Sequence, residues 1–362
     1  MEIIQIVPSL PPTTGGLADF SLLVAKELRH THHIDSRFVV GNPNWHGSRE
    51  IEGFLAVPTP DRTAAGLLQT LGNTSQIVLL HYVGYGYAPR GCPFWLIDGL
   101  KQWRKTRGKW LVTFFHELWA FGPPWRSSFW THPYQKSLTK RLANATDRCQ
   151  TTMNMYRRIL ESIAPRHLGR IPALPVFSTV GEGDTCTYLD QRKRQMVVFG
   201  GPSLRAKTYS QHSKELIDAC SALQIECILD IGPSIGIKPD LPLPVIVMGK
   251  IPAKEVCRLL VESMAGFVSY FDGYLAKSSI FAAYCAHGLL PVLGPRNCSE
   301  LDGVRAGRDY LAASSLPHRV SDSDLQAIAT NANSWYREHS LAKTAAAIAG
   351  ALKNTEPAIL RC

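Results

Sequence analysis

Adjacent glycines at positions 15 and 16 end a loop that leads into an amphipathic segment. Such glycines let the backbone approach a ligand closely, and the first N–H groups of a following helix lie at the positive end of its dipole. Gly15 and Gly16 are therefore candidates for binding a phosphate group. The pattern is not Gly-x-Gly-x-x-Gly, which makes a dinucleotide cofactor a weak prediction. The alternative is a turn whose glycines only reverse the chain.

His116 and Glu117 directly follow the apolar run 112–115. Open α/β sheets bind ligands at the carboxyl ends of their strands, so a polar pair at such an end is a candidate site. A zinc-protease motif would require a histidine at position 120, where the chain has Ala120. We predict a catalytic role for His116 and a substrate contact for Glu117. A core histidine without a ligand is the alternative for His116.

Two groups of basic and hydroxyl side chains in the second half are candidates for binding phosphate. Arg205 and Lys207 follow an apolar run and two glycines. Fixed cations of this kind can bind and neutralise the negative charge of a phosphate group. The second group stands at the predicted start of a helix, where hydroxyls and N–H groups cradle anions, and comprises Lys277, Ser278 and Ser279. A simple serine N-cap is the alternative for this group.

Aromatic residues crowd two loops that are predicted to follow strands of the first half, 81–91 and 122–130. Aromatic rings stack on sugars and phenol groups hydrogen-bond to them, so these loops favour a carbohydrate acceptor. Tyr85, Tyr87 and Trp125 are the predicted contacts. Packing of the aromatic side chains within the loops themselves is the alternative.

Strands and helices alternate along both halves of the chain, a pattern typical of parallel sheets covered by helices. The predicted fold is α/β, with two Rossmann-like, doubly wound domains that face an interdomain cleft. Strands are predicted at 3–7, 36–40, 54–57, 76–81, 110–115, 148–151, 195–199, 226–231, 245–248, 266–270 and 290–293. Helices are predicted at 18–29, 62–71, 94–105, 134–143, 211–223, 253–263, 278–287, 324–339 and 341–353.

Proline and glycine concentrate in the segment 171–184, which lacks helical periodicity and is predicted to be a linker. A chain of 362 residues is too long for one ordinary core and suits two. We therefore predict a first domain over 1–184 and a second over 185–340. A closing helix in 341–362 can pack back on the first domain.

The formal net charge of +10 and a pI near 9.2 indicate an anionic partner. The densest basic run is 101–109, within or beside which lie Trp103 and Trp110. A solvated helix face is one interpretation, and peripheral docking on the inner face of an anionic membrane is the more specific one. No apolar run reaches about 18 residues and no signal peptide is predicted, so we expect a cytoplasmic location. No nucleic-acid partner is expected.

No metal site is predicted. The nine cysteines are scattered and never spaced as Cys-x-x-Cys, which favours reduced core residues. His30, His32 and His33 lie at a predicted helix end and are expected to be solvated. Asp322-Ser323-Asp324 precedes another helix, where it is expected to act as a cap.

The loop that ends in Gly-Gly-hydrophobic-Ala-Asp at 15–19 resembles the opening of a large group of retaining glycosyltransferases with the GT-B fold. This family 4, glycogen synthase-like group includes sucrose and glycogen synthases and bacterial mannosyltransferases. The resemblance implies that Gly15 and Gly16 approach the donor diphosphate and the acceptor, and that His116 contacts the donor sugar. It also implies that Arg205 and Lys207 contact the diphosphate of a sugar nucleotide, which is a substrate, with no cofactor.

The segment 267–292 resembles the strand, helix and strand that bind the donor in this group, with one departure. Most members carry a pair of glutamates at places that hold Leu275 and Ala283 here. Asp272 replaces the first glutamate only if the loop has gained three residues. The expected function is metal-independent, retaining transfer of a sugar to a carbohydrate or lipid-linked acceptor. A catalytically degenerate binding or scaffold protein of the same fold is the alternative, and a dehydrogenase is a distant third.

Overall fold

The computed structural model of the chain describes residues 1–13, 15–72, 77–107, 110–183, 187–236, 239–294, 300–315 and 321–353. Unit 1 comprises Met1–Leu174 with Leu341–Cys362, and unit 2 comprises Pro175–Ser340. The division falls earlier in the chain than the predicted boundary near residue 185. Backbone hydrogen bonds account for its position. Leu174 N–H donates to Thr151 of unit 1, whereas Val176 N–H donates to Ala276 of unit 2, both at 2.8 Å.

Unit 1 is built on one seven-stranded sheet. Its strands are β1 (Glu2–Val7), β2 (Asp35–Val40), β3 (Glu50–Ile51), β4 (Phe54–Pro58), β5 (Ile77–Tyr82), β6 (Trp110–Phe115) and β7 (Arg148–Thr151). Its helices are α1 (Gly16–His32), α2 (Ala64–Leu71), α3 (Gly84–Tyr87), α4 (Phe94–Arg107), α5 (Ser127–Ala145) and α6 (Asn154–Ile163). The strand order is β3-β4-β2-β1-β5-β6-β7, and every pair except β3 with β4 is parallel.

Apolar runs explain why the central strands of unit 1 form. Nearly every side chain of β1 and β5 is buried, as expected for parallel strands that are covered on both faces. Helix α1 buries one face, and His33 ends it in the left-handed conformation, with φ 56°. The His33 N–H donates to Leu28 O, which satisfies one carbonyl of the last turn.

Unit 2 repeats this architecture with a six-stranded sheet. Its strands are β8 (Lys193–Phe199), β9 (Cys227–Ile231), β10 (Val245–Gly249), β11 (Ser263–Val268), β12 (Leu290–Leu293) and β13 (Leu311–Ala312). Its helices are α7 (Pro202–Gln211), α8 (Ser213–Ala222), α9 (Ala253–Glu262), α10 (Ser279–Ala286) and α11 (Asp322–Arg337). The order is β10-β9-β8-β11-β12-β13, and all pairs are parallel.

A tyrosine and a glycine hold α10 against the sheet of unit 2. The ring of Tyr284 lies on Gly266 of β11, where an added Cβ would stand 2.7 Å from the ring atoms. The Tyr284 OH lies 3.1 Å from Val197 O and 3.2 Å from Phe267 O. This close packing fixes the start of α10 near the carboxyl ends of β8 and β11.

The closing helix α12 (Leu341–Leu352) belongs to unit 1 and packs against α1. Trp110 Nε1 donates to Ala351 O at 2.8 Å, and Gln150 Nε2 donates to Ala347 O at 2.9 Å. These bonds attach α12 to β6 and β7 of the sheet.

Candidate functional site

In each unit the strand order changes direction beside the first strand. β1 lies between β2 and β5, and β8 lies between β9 and β11. At such a point the connections leave toward opposite faces of the sheet, which opens a crevice at the carboxyl ends of the strands. Each crevice is therefore a candidate binding site.

Gly15 and Gly16 lie at the start of α1, beyond the carboxyl end of β1. Gly15 has an extended backbone with φ 175°, and a Cβ added to either glycine would meet no atom of the described residues within 4 Å. Packing among the described residues therefore does not require glycine at these positions. The open space beside the backbone is compatible with the predicted approach of a ligand.

A buried chain of polar side chains crosses the sheet of unit 1 and ends at His116. Gln5 Nε2 donates to Ser36 Oγ at 2.9 Å, and Gln5 Oε1 lies 2.9 Å from His81 Nε2. His81 Nδ1 lies 3.1 Å from His116 Nε2. All four side chains are buried, and they connect β2, β1 and β5 to the residue that follows β6.

The hydrogen bonds of this chain determine which ring nitrogens carry protons. Burial lowers the pKa of His81 to about 3, so its ring is neutral. Its Nε2 donates to Gln5 Oε1, because a carbonyl oxygen only accepts, and its Nδ1 is left as an acceptor. His116 must therefore donate its Nε2 proton to His81. In a neutral His116 ring the lone pair then lies on Nδ1, which can accept a proton or a hydrogen bond.

Aromatic rings fix the orientation of the His116 imidazole. Phe20 of α1 meets it edge-on, with ring centroids 4.9 Å apart, and Phe114 packs at 4.5 Å. Because Phe20 lies about one helical turn beyond Gly16, these contacts bring the glycine segment and His116 to the same edge of the sheet. Glu117 is half-buried beside them.

The three predicted acceptor contacts differ in exposure. Tyr87 is buried in the core, where its OH lies within hydrogen-bonding distance, 3.0 and 2.9 Å, of two backbone carbonyl oxygens. Burial also raises the pKa of its phenol. Tyr85 is exposed, and its OH accepts a hydrogen bond from Gln135 Nε2 at 3.2 Å. Trp125 is exposed too. Of these three rings, Tyr85 and Trp125 are the ones that face solvent.

Trp103 lies within the basic run 101–109 and Trp110 directly after it, and the two rings differ in burial. Trp103 is buried, and Trp110 is partly buried with its indole N–H bonded to Ala351 O. The interpretation that these rings contact a membrane is wrong for Trp103, which is used in packing within unit 1, and stays a prediction for Trp110. In the part of the chain that the structure describes, no helix combines the length and apolar character needed to span a bilayer.

Two helices begin beside the crevice of unit 2. α7 starts directly after Gly200 and Gly201, and α10 starts at Ser279. A Cβ on Gly200, which has φ 132°, would meet the Ile280 side chain, so the two helix starts are adjacent. A Cβ on Gly201, the N-cap of α7, would meet no atom within 4 Å. Adjacent helix N-termini present N–H groups and positive dipole ends, an arrangement that suits a diphosphate.

Arg205 is buried in unit 2 and pairs with Asp230 of β9. Its Nε and Nη2 donate to the two carboxylate oxygens at 2.6 and 3.0 Å, and each side chain is 1% exposed. Its Nη1 donates to Pro233 O at 2.6 Å and to Gly200 O at 3.4 Å. The guanidinium thus ties together the turns that follow β8 and β9. Four of its five donor hydrogens serve this purpose, and the guanidinium is closed to solvent.

The other predicted phosphate contacts of unit 2 lie on α7 and near the start of α10. Lys207 is exposed on α7. Lys277 is half-buried, with Nζ 5.8 Å from the centre of the Tyr274 ring. Ser278 is buried, and its Oγ accepts the Phe281 N–H at 3.1 Å, so it is the N-cap of α10.

The places of the missing glutamates are apolar in the structure as well as in the sequence. Leu275 and Ala283 are both buried. A carboxylate at either place would be desolvated and would need a partner. Asp272 begins a short 3-10 turn, Asp272–Lys277, and its side chain lies outside the described residues.

Three polar residues of these crevices could not be assigned a role from the sequence. Gln5 and Asp230 lie inside apolar strands, and this contrast is the signal that could have identified them, because a buried polar group needs a partner. Ser269 directly follows β11 and is buried, and its Oγ has no hydrogen-bond partner among the described residues. An unpartnered buried hydroxyl at a crevice is a candidate ligand contact.

Within the described ranges, no group of three His, Cys, Asp or Glu residues is placed to hold a metal ion. Asp322-Ser323-Asp324 forms the first turn of α11, where Ser321 Oγ accepts the Asp324 N–H at 3.1 Å.

Comparisons with known proteins bear on the fold. The sequence matches no described protein family and no curated protein. The apo structure of OtsA has a TM-score of 0.58 at 12% identity, covering 98% of this chain and 100% of that one. A putative UDP-N-acetylglucosamine 2-epimerase from Listeria monocytogenes has a TM-score of 0.56 at 11% identity, covering 98% and 97%. An α-glucosyltransferase in complex with UDP-glucose and abasic DNA has a TM-score of 0.51 at 10% identity, covering 95% and 94%.

The fold of the chain is that of GT-B glycosyltransferase structures, with two Rossmann-like domains built on parallel sheets. The α/β class and the two Rossmann-like domains predicted from the sequence are confirmed. At these identities the likeness shows the fold alone, and the narrower assignment to the family 4, glycogen synthase-like group stays a prediction.

Proposed function

We propose that the chain is a glycosyltransferase that moves a sugar from a nucleoside diphosphate sugar to a hydroxyl of a carbohydrate or lipid-linked acceptor. The crevice of unit 2 carries this proposal, because α7 and α10 begin side by side there next to the unobstructed Gly201. A diphosphate is the anion that two adjacent helix N-termini suit. A solved structure of the same fold is an α-glucosyltransferase with UDP-glucose bound, which supports the choice of donor.

Each polar group of the crevice has a role in donor binding. Gly201 lets the diphosphate approach the first N–H groups of α7, and Ser279 stands at the start of α10. Lys207 and Lys277 supply positive charge, and the Ser269 hydroxyl, which has no partner among the described residues, supplies a hydrogen bond. Arg205 holds the turns beside the diphosphate in shape through its buried pair with Asp230.

The transfer itself needs no reactant besides donor and acceptor. The bond between the anomeric carbon and the diphosphate oxygen breaks, and the acceptor oxygen bonds to that carbon. The acceptor proton passes to the departing diphosphate. We propose that the anomeric configuration is retained, as in the group that the sequence resembles. Fixed cations and helix N-termini stabilise the leaving charge, so the reaction requires no metal.

His116, Gly15 and Gly16 act on the sugar side of the reaction. His116 donates Nε2–H to His81, so its Nδ1 is the atom that accepts a hydrogen bond from a sugar hydroxyl. The open space beside Gly15 and Gly16 admits donor or acceptor atoms next to the backbone. Tyr85 and Glu117 are the proposed acceptor contacts.

The buried Leu275 and Ala283 favour a second candidate function. Without carboxylates at these places, a protein of this fold could bind the sugar nucleotide and not turn it over. Binding and turnover must therefore be measured separately.

A panel of UDP-, GDP-, ADP- and TDP-linked sugars tests the proposal. We expect one donor to bind by calorimetry and to release its nucleoside diphosphate when acceptor is present, with and without EDTA. Lys207→Ala should weaken donor binding about tenfold, the value of a charge-assisted hydrogen bond. Lys214→Ala is the matched control, because Lys214 is exposed on α8 and pairs only with Asp218 among the described residues.

Other results would assign the protein differently. Donor binding without diphosphate release for every acceptor would support the binding protein. Conversion of the donor sugar without release of diphosphate would indicate an isomerising enzyme and contradict transfer. Absence of binding to any sugar nucleotide would contradict both candidates.

A further inference from the structure

We propose that unit 1 binds the surface of an anionic membrane through aromatic side chains in the loop that follows β6 and in the first part of α5. This aromatic surface comprises Phe121, Trp125, Phe129, Trp130 and Tyr134, all of them exposed. Trp125 is 83% exposed and Phe121 73%, and although Phe121 also contacts His132 with ring centroids 4.8 Å apart, most of both rings faces solvent. A cluster of large exposed rings marks a surface that contacts lipid or another molecule.

Hydrogen bonds hold the aromatic surface in place. Gln135, buried on α5, accepts the Ala120 N–H at 2.8 Å and so fixes the loop to the helix. Trp130 Nε1 donates to Pro124 O at 2.9 Å. The rings are therefore presented in a defined arrangement, which lowers the entropy lost on binding.

The charge around the aromatic surface selects an anionic partner. The sequence has no acidic residue between Glu117 and Asp147. Arg126 lies among the aromatic residues, and Lys136 and Lys140 follow on α5, all three exposed. Tryptophan and tyrosine rings settle at the headgroup level of a bilayer, and nearby basic side chains add attraction to anionic lipids.

The proportion of rings to charges favours lipid over nucleic acid. Binding to nucleic acid depends on several lysine or arginine contacts to phosphates. In the range 119–140 the exposed basic residues are Arg126, Lys136 and Lys140, fewer than the five exposed rings of the aromatic surface. Burial of apolar rings in the bilayer interface therefore dominates, with charge as a secondary attraction.

This surface replaces the basic run 101–109 as the membrane contact, and it assigns Trp125 to lipid instead of an acceptor sugar. The inference does not depend on the transfer reaction. If both hold, the enzyme works at a membrane, where a lipid-linked acceptor would be presented.

Co-sedimentation of the full chain with vesicles tests the inference. The protein should sediment at low ionic strength with vesicles of phosphatidylglycerol and phosphatidylcholine, and much less with phosphatidylcholine alone. The Phe121→Ala/Trp125→Ala double variant should lower partitioning at least about tenfold, because both rings lose their burial in the interface. Arg126→Ser should lower binding to the anionic vesicles about fivefold. A double variant at two exposed positions elsewhere, Leu168→Ala/Tyr188→Ala, should bind like the wild type.

A second measurement covers the case in which the double variant fails to fold. Brominated lipid should quench the tryptophan fluorescence of the wild type, and quench it less in the conservative variant Trp125→Phe. The inference is overturned if the wild type does not bind anionic vesicles, or if the control variant loses as much binding as the Phe121/Trp125 variant. It is also overturned if a soluble oligosaccharide or a single-stranded oligonucleotide binds this surface and vesicles do not.

Discussion

Replacing Asp230 by alanine should destabilise unit 2 by about 3–5 kcal/mol, because it leaves the Arg205 guanidinium buried without a counter-charge. Both side chains are 1% exposed, and two hydrogen bonds at 2.6 and 3.0 Å join them. The guanidinium would keep its bonds to the carbonyls of Pro233 and Gly200. Two neutral acceptors do not offset the desolvation of a full charge, so we expect most of the loss to be realised.

Removing both charges together should restore much of this stability. Replacing a buried ion pair by apolar side chains of similar size often leaves the free energy of unfolding unchanged. In Arg205→Met/Asp230→Leu the carbonyls of Pro233 and Gly200 lose their donor, which costs about 1–3 kcal/mol if water does not replace it. The double variant should therefore be more stable than Asp230→Ala and less stable than the wild type.

The assay must report on unit 2. Seven of the eight tryptophans lie in the sequence of unit 1, and Trp335 is the one in unit 2, so total fluorescence is a poor probe. Hydrogen exchange of peptides from β8, β9 and α7 as a function of urea gives the free energy of unfolding for this unit. A loss below about 1 kcal/mol, as for an exposed ion pair, would refute the reasoning. So would a double variant that is less stable than Asp230→Ala.

The same variants distinguish residues that support donor binding by shaping the crevice of unit 2 from residues that contact the donor directly. If Arg205 acts by tying the turns together, then Arg205→Met/Asp230→Leu weakens donor binding in parallel with its loss of stability. Lys207→Ala should weaken donor binding without a loss of stability, because Lys207 is exposed.

Further predictions concern unit 1 and the turn after β9. The pKa of His81 is about 3 in the folded chain against an ordinary value of 6.5. The unfolded chain therefore takes up the proton first as the pH falls from 6.5 to 3, and this residue lowers the free energy of unfolding by about 1.4 kcal/mol per pH unit in that window. An acid titration of His81→Gln should show a shallower slope than the wild type, and an equal slope would contradict the prediction. Gln5→Leu removes the acceptor that fixes the tautomers of His81 and His116. Nitrogen-15 NMR should therefore show His116 changing from the Nε2–H form to a mixture of tautomers, and an unaltered spectrum would contradict the proposed series of hydrogen bonds. Gly16→Ala should leave thermal unfolding nearly unchanged and lower turnover at least about tenfold by displacing substrate. Gly232→Ala, at φ 145° and facing the turn after β8, should lower the free energy of unfolding by about 2 kcal/mol. Equal stability of the Gly16→Ala and Gly232→Ala variants would contradict one of the two expectations.

The sheets could be predicted from apolar runs. Most of the strands and helices that were not predicted are short or lack a clear apolar pattern. Every predicted strand overlaps a strand of the structure. β3 and β13 were not predicted, because each has two residues and leaves no pattern. α3, α6 and α7 were also not predicted, and α7 begins with proline and has no pronounced apolar face. Because that stretch was expected to be a loop, the burial of Arg205 on α7 could not be foreseen.

The place of His116 in the fold could be predicted, but its hydrogen-bond partners could not. His116 was identified because it follows an apolar run, and it does lie at the carboxyl end of β6. Its orientation depends on His81, 35 positions away, and on Gln5, another 76 positions before that. Local patterns carry no information about pairs so far apart in the chain. The topology of the sheet, with β1 beside β5 and β5 beside β6, is what brings them together.

Burying Gln5 and His81 lowers the stability of the fold relative to apolar side chains in the same strands. Each buried polar atom needs a hydrogen-bond partner, and a histidine that is buried in its neutral form binds a proton less readily in the folded chain than in the unfolded one. The remaining residues of β1 and β5 show that apolar side chains fill these positions readily. This series of hydrogen-bonded side chains ends on His116 at the carboxyl edge of the sheet, where open α/β sheets bind ligands, and it fixes one ring nitrogen of His116 as donor and the other as acceptor. Asp230 in β9 is likewise a buried polar residue that supports another group. It holds Arg205, which bonds to the carbonyls of the turns beside α7. A polar residue inside a strand that is otherwise apolar therefore points to the group it supports at the carboxyl end of the sheet, which makes such residues a means of locating the site from sequence.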